Sequence, residues 1–137
     1  MTSLSYRLVN VFTCGAEVLS GNPLCVFEDA RGLSDELMQR LARQFNLSET
    51  TFLLPATDPV AHARVRIFTP SFEMPFAGHP TLGSAAVCRS LGLAGDELRL
   101  QMGVGLVEVH ASGAHWTLTA PAARWRRRPG RSWHRSA

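Results

Sequence analysis

Two residues of this 137-residue chain, Glu49 and His79, stand in surroundings that could do chemistry. His79 lies in PFAGHPTLG (75–83), between a glycine and a proline, at the mouth of a stretch whose only charge up to Leu91 is Arg89. A helix starting there offers unpaired first-turn N–H groups, a cradle for a carboxylate or another anion. The positive end of that helix disfavours an imidazolium, so His79 is expected to be neutral and able to donate a hydrogen bond or relay a proton. Glu49 lies in NLSETTF (46–52), after a helix end and before an apolar strand, where a loop carboxylate can point into a cleft. Such a group can take a proton from carbon and return it elsewhere, provided that burial raises its affinity for protons. Each residue also has a plainer reading. His79 then merely caps a buried helix, and Glu49 is an ordinary solvated glutamate.

The elements that would position these groups follow from periodicity and punctuation. Ser5 to Phe12 alternates as a first strand, and Leu24 to Phe27 forms a second after a Gly21-Asn22-Pro23 turn. Ser34 is placed to N-cap a helix over 35–45, with Asp35 and Glu36 in its first turn and Leu37, Met38, Leu41, Ala42 and Phe45 at helical spacing. Asn46 is suited to close it in a left-handed conformation. Thr50 to Leu54 is β-rich, and Ala63 to Phe68 sends its arginines out and Val65 and Ile67 in. Three more strands are expected at Leu98–Met102, Leu106–His110 and His115–Thr119, the last two joined by an Ala-Ser-Gly-Ala turn. With Pro80 at the first helical position, His79 becomes the N-cap of a helix that ends at Gly92. A helix with one charge has no solvent face, so a curved sheet is expected to wrap around it. Its small residues, Gly83, Ser84, Ala85 and Ala86, allow strands to approach closely.

Composition narrows the function classes. Apolar residues make up 45% of the chain and charged residues 18%, a globular rather than disordered balance, and 137 residues suit one domain. No run of 18 apolar residues occurs, so no membrane span is expected, and the N-terminus lacks the apolar core of a signal peptide. Cys14, Cys25 and Cys88, an odd number without CxxC spacing, point to free thiols in a reducing cytoplasm. The net charge of +3 comes from the end of the chain, where six of the 14 arginines fall after residue 123. Eight arginines against eleven acidic residues leave the rest mildly acidic, without the basic face of a nucleic-acid binder. Trp125 and Trp133 interleave with tail arginines, which makes stacking on nucleic acid physically possible but leaves a disordered basic end as the expectation. His110, His115 and Glu108 are read as hairpin surface residues rather than metal ligands, and no phosphate-binding GxGxxG is present.

Taken together, GNPLCVF, LSDELMQRLARQFNLSETTF, RIFTP and PFAGHPTLG closely resemble the amino-terminal half of the phenazine-biosynthesis PhzF-like isomerases, over about Tyr6 to Trp125. The resemblance implies an α+β, diaminopimelate-epimerase-like lobe: a mixed, mostly antiparallel curved sheet around a central apolar helix. It also implies a cofactor-independent isomerase, the best-known members moving a proton within a dihydro-hydroxyanthranilate, with no metal. Carried over by motif, Glu49 is the catalytic acid/base and His79 the active-site histidine. Gly78, Pro80, Thr81 and Asn22 are the residues expected to contact a small carboxylate substrate. Related epimerases use paired cysteines, one in a loop like PFAGHP, but here that loop carries Phe76 and Ala77, so thiol chemistry is not expected.

The resemblance implies a second lobe with a facing aspartate and a second helix mouth, and the residues after Trp125 are not expected to supply either. The expected organisation is an amino-terminal lobe over 1–122 and a disordered Arg-rich tail over 123–137. Without an opposing lobe, Glu49 and His79 are expected to face water, where a solvated carboxylate is a weak base toward carbon, and turnover should be slight or absent. A homodimer could imitate the two-lobed cleft, although it would set two glutamates against each other. A chain that only binds small carboxylates is the alternative to an isomerase. The tail reads like a shifted reading frame, and sequencing the downstream bases is expected to reveal second-lobe sequence in another frame. Its absence from every frame would refute that expectation.

Overall fold

In a computed structural model, residues 3–14, 17, 19–119, 125–127 and 133–135 are described. Strands β1 (Tyr6–Val11) and β2 (Asn22–Phe27) pair antiparallel and lead into helix α1 (Asp35–Phe45), which crosses back to β3 (Thr50–Leu54), parallel to β2. Next come β4 (Ala63–Phe68), the two-residue β5 (Glu73–Met74), helix α2 (Gly78–Ser90), β6 (Glu97–Met102), β7 (Gly105–Ser112) and β8 (His115–Thr119). They form an eight-stranded sheet in the order β1-β2-β3-β4-β6-β7-β8, with β5 beside β4. The β2/β3 and β4/β6 pairs are parallel and the others antiparallel. This is the expected mixed, mostly antiparallel sheet, curled into a half-barrel around α2.

The curl follows from what α2 must hide. Gly83, Ser84, Ala85, Val87 and Cys88 are buried, and the helix touches β1, β2, β3, β4 and β8. Gly83 permits the closest approach: a Cβ there would lie 2.5 Å from Leu24 Cδ2 and 3.0 Å from Val11 Cγ2. Leu24, Val26, Leu53, Val65, Ile67, Leu98, Leu100, Val107 and Val109 complete this core on the concave face. The convex face packs α1 through Met38 and Ala42 on Cys25, Phe27, Phe52 and Phe68, and the Phe27 and Phe52 rings stack at 4.9 Å. Strand β2 therefore serves both cores, Leu24 and Val26 on one side and Cys25 and Phe27 on the other. That explains its continuous apolar run without alternation. Arg66 ties the elements together outside, pairing with Asp35 at the start of α1 and with Glu73 of β5.

Helix α1 has the expected ends. Ser34 accepts from the Leu37 N–H, and Asn46 is left-handed at φ 54°, its N–H donating to Ala42. Helix α2 departs from expectation at its entrance. Its N-cap is Ala77, without a side-chain cap, so His79 and Pro80 sit inside the first turn. Proline is tolerated there because first-turn N–H groups have no intrahelical acceptor to lose. At the far end, Gly92 takes φ 77°, its N–H reaches Arg89 and that of Leu93 reaches Cys88. This is the Schellman closure that a glycine permits. Asn22 and Pro23, expected in a turn, begin β2 opposite Val11 and Asn10. Pro23 fits because pairing with β3 starts only at Cys25, so no ladder bond there needs its missing N–H. Strand β7 runs on to Ser112, which shortens the expected hairpin turn to Gly113 and Ala114.

Trp125–Arg127 (β9) and Trp133–Arg135 (β10) pair as a separate antiparallel ladder, where no stable element was expected. The remainder of the tail, with the proposed boundary after residue 122, lies outside the described residues. Among the described residues, no helix is long and apolar enough to cross a membrane.

Two neighbouring hydroxyls of β3 differ in partnership. Thr51 Oγ1 and Ser84 Oγ bond at 2.8 Å within the core, whereas Thr50 Oγ1 is buried with no partner among the described residues. An unpaired buried hydroxyl costs about 1–3 kcal/mol. Urea unfolding is therefore expected to show Ser84→Ala destabilising by about 1–2 kcal/mol, because it strands Thr51, and Thr50→Val stabilising by up to about 1 kcal/mol.

Candidate active site

Glu49 and His79 meet at one end of the half-barrel. Glu49 is the last residue before β3, delivered there by the left-handed turn at Asn46 that closes α1. His79 comes from the first turn of α2, and Asn22 from the start of β2. His79 Nδ1 lies 2.9 Å from Glu49 Oε2, and its Nε2 lies 3.1 Å from the Asn22 backbone carbonyl. Among the described residues, Glu49 is in no ion pair with an arginine.

The two distances constrain the protons. A carbonyl oxygen only accepts, so Nε2 carries hydrogen and donates to Asn22. Nδ1 and a carboxylate oxygen 2.9 Å apart need one proton between them, on the ring or on the carboxyl. The neutral imidazole expected from the helix dipole is realised in the second form, with Glu49 holding the proton as its acid. In the first form an imidazolium faces a carboxylate, and that charge offsets the unfavourable helix end.

Shelter is where the site differs from the sequence reading. The Glu49 side chain is 18% exposed and that of His79 is 9% exposed, so the lobe itself covers most of both groups instead of leaving them in water. The cause is the wedge of the imidazole between strand ends and helix mouth, a contact no local pattern encodes. The remaining residues expected to touch substrate divide. Gly78 is half-buried at the helix entrance, its N–H without an intrahelical acceptor, and Asn22 is exposed beside the pair. Pro80 and Thr81 are buried, and the Thr81 hydroxyl donates to the Ala77 carbonyl at 2.6 Å. Thr81 thus braces the entrance from beneath and does not face the opening.

Phe12 was not anticipated. It follows β1 at φ 61°, a conformation strained for a bulky side chain, and its ring stands 63% exposed with its centroid 6.3 Å from that of His79. Its sequence context, an apolar residue ending a strand, carried no signal of this. On its other side Phe12 helps line an open groove of about 340 Å³ between the sheet edges β1 and β8, floored by Leu82, Gly83 and Ala86 of α2.

Two further groups are accounted for elsewhere. His110 pairs with Glu97 across β6 and β7 at 2.6 Å rather than with His115, and no cluster of three metal-ligating side chains occurs among the described residues. Cys25 and Cys88 are fully buried in the two cores, where loss of solvation pushes each thiol up to about 12.

The phenazine biosynthesis-like (PhzC-PhzF) family model matches residues 9–126, and the chain belongs to that family. It is 51% identical over 96 residues to the trans-2,3-dihydro-3-hydroxyanthranilate isomerase of Pseudomonas aeruginosa, covering 69% of this chain and 33% of that protein. The PhzF-family phenazine biosynthesis protein of Bacillus anthracis superposes with a TM-score of 0.70 at 33% identity, over 80% of this chain and 36% of that one. A hydroxyproline epimerase of Agrobacterium vitis shares the fold at a TM-score of 0.56 and 18% identity, over 84% of this chain and 44% of that one. The chain spans about a third of the length of the curated relatives it matches.

Because both core thiols remain protonated below about 12, they should resist modification at mildly alkaline pH, and only Cys14 is exposed. A colorimetric thiol titration is expected to count one reactive cysteine in the folded chain and three in denaturant. Rapid reaction of a second thiol before unfolding would contradict the burial.

Proposed function

We propose that these residues form one wall of the proton-transfer site of a PhzF-like isomerase that acts on a small carboxylate without a cofactor. The observation that carries this reading is the 2.9 Å contact between Glu49 and His79 in a sheltered corner of the lobe. In the base form, the Glu49 carboxylate takes a proton from a substrate carbon, and the bonding pair stays on the substrate, delocalised toward its own carboxylate or an adjacent double bond. The same proton then returns to a different carbon, which regenerates Glu49 and leaves no net change in oxidation state. The first-turn amides of Gly78 and His79 hold the substrate carboxylate against the positive helix end, and Asn22 is exposed beside the pair.

The activity named for the Pseudomonas aeruginosa relative, isomerisation of trans-2,3-dihydro-3-hydroxyanthranilate, supports a cyclic amino or hydroxy acid as the substrate class. Residues on the far side of the substrate are not among those described, so turnover by this stretch alone is proposed to be slow or absent while exchange at carbon persists. An intracellular setting accords with this chemistry and with the free cysteines.

Incubating the chain with cyclic amino and hydroxy acids in D2O, and following the carbon-bound protons by NMR, tests the proposal. Deuterium wash-in is expected, and Glu49→Gln is expected to reduce it about a hundredfold or more, the usual weight of a general base. Saturable binding without wash-in would instead favour a chain that holds carboxylates without turning them over.

A further inference from the structure

The residues Gly21 and Asn22 lie some distance in sequence from either chemical group, yet the Asn22 carbonyl lies 3.1 Å from the Nε2 edge of the His79 ring. Gly21 explains how that carbonyl is held. A Cβ at position 21 would stand 2.4 Å from the Val11 carbonyl oxygen and 3.0 Å from its carbon, with Thr13 Cγ2 at 3.1 Å. Two of those three atoms are backbone and cannot rotate away. Only glycine lets β1 and β2 close at this end, where Val11 opposes Asn22.

We propose that Gly21 and the Asn22 carbonyl act together as a tautomer lock on His79, which makes Asn22 a positioning residue through its backbone. The lock keeps hydrogen on Nε2 and turns Nδ1 toward Glu49. Both ring nitrogens are then engaged, so His79 has no free nitrogen to meet substrate. Glu49 Oε1 becomes the atom that exchanges protons with carbon, while His79 acts through Glu49. In the base form the ring carries hydrogen on both nitrogens, so when Oε1 takes a proton the Nδ1 hydrogen stays bonded to Oε2 and the carboxyl cannot swing away. When Oε1 gives the proton back, the same bond steadies the returning carboxylate. The ring thereby stabilises one orientation of the base through both half-reactions. Only this last step rests on Glu49 being the base; the tautomer itself does not.

Ring-nitrogen NMR of ¹⁵N-labelled chain reads the lock directly. In the unaltered chain, His79 is expected to show hydrogen on Nε2 at neutral pH, where that nitrogen faces the Asn22 carbonyl. Gly21→Ala is expected to admit the other tautomer, moving the two nitrogen shifts toward each other while the remaining histidines stay unmoved. A neutral His79 protonated at Nδ1 in the unaltered chain would overturn the proposal, and that measurement does not depend on the variant folding.

The role through Glu49 is read separately from deuterium wash-in. An asparagine amide reproduces the Nδ1 position and a glutamine amide the Nε2 position. His79→Asn is expected to keep exchange within about tenfold, whereas His79→Gln loses about a hundredfold. The reverse order would mean that Nε2 serves the substrate, and it would sink the lock. Correct tautomers with no wash-in in the unaltered chain would leave the lock standing and remove the isomerase reading instead.

Discussion

Burial of a helix that has almost no charge is the constraint from which the rest of this structure follows. Helix α2 carries a single basic residue, Arg89, in its last turn and offers water no polar face. Full coverage requires strands on several sides, and a flat sheet supplies only one. The sheet therefore curls until β1, at one edge, and β8, at the other, both touch the helix. The small residues of α2 keep that curl tight, with Gly83 fitted under Leu24 and Val11.

The curl also creates the site. A helix enclosed by strands must enter the half-barrel at one end, and there its first turn meets the start of β2 and the approach to β3. Helix N-termini attract anions wherever they occur. What distinguishes this one is that a carboxylate is already present, joined to the helix through an imidazole, with a backbone carbonyl on the opposite ring nitrogen. The positive helix end, the negative side chain and the proton between them are mutually compensating. A carboxylate can then be sheltered without an arginine partner, with only Oε2 taken up by the imidazole.

The parallel β2-α1-β3 unit has a supporting part in this. Its crossover helix packs on the convex face through aromatic contacts, and Asn46 ends it in a left-handed turn that delivers Glu49 to the mouth of α2. The Arg66 bridge from Asp35 to Glu73 fastens α1 to the β4/β5 side of the sheet. The arginine holds Asp35 below the usual carboxylate range, so this fastening persists above the range in which an unpaired aspartate titrates and is lost as pH falls through the lowered value.

Local signals in the chain were sufficient for most elements because they act over a few residues. Ser34 caps its own helix, Asn46 closes it, and Val65 and Ile67 alternate with arginines, each without reference to distant chain. The same locality misplaced the entrance of α2. A glycine-histidine-proline run suits an N-cap histidine, but the ring is drawn to Glu49, 30 residues away, and Ala77 takes the cap. Strand β5 is too short to show a period, and Phe12 looks like any strand end. Sequence by itself thus singled out Glu49 and His79 as candidates for chemistry and set most of the elements that hold them. Tertiary structure alone decided that Glu49 and His79 share a proton, which ring nitrogen faces which acceptor, and that both lie sheltered. Those outcomes depend on how far the sheet curls, a property of all the strands packing on one helix at once.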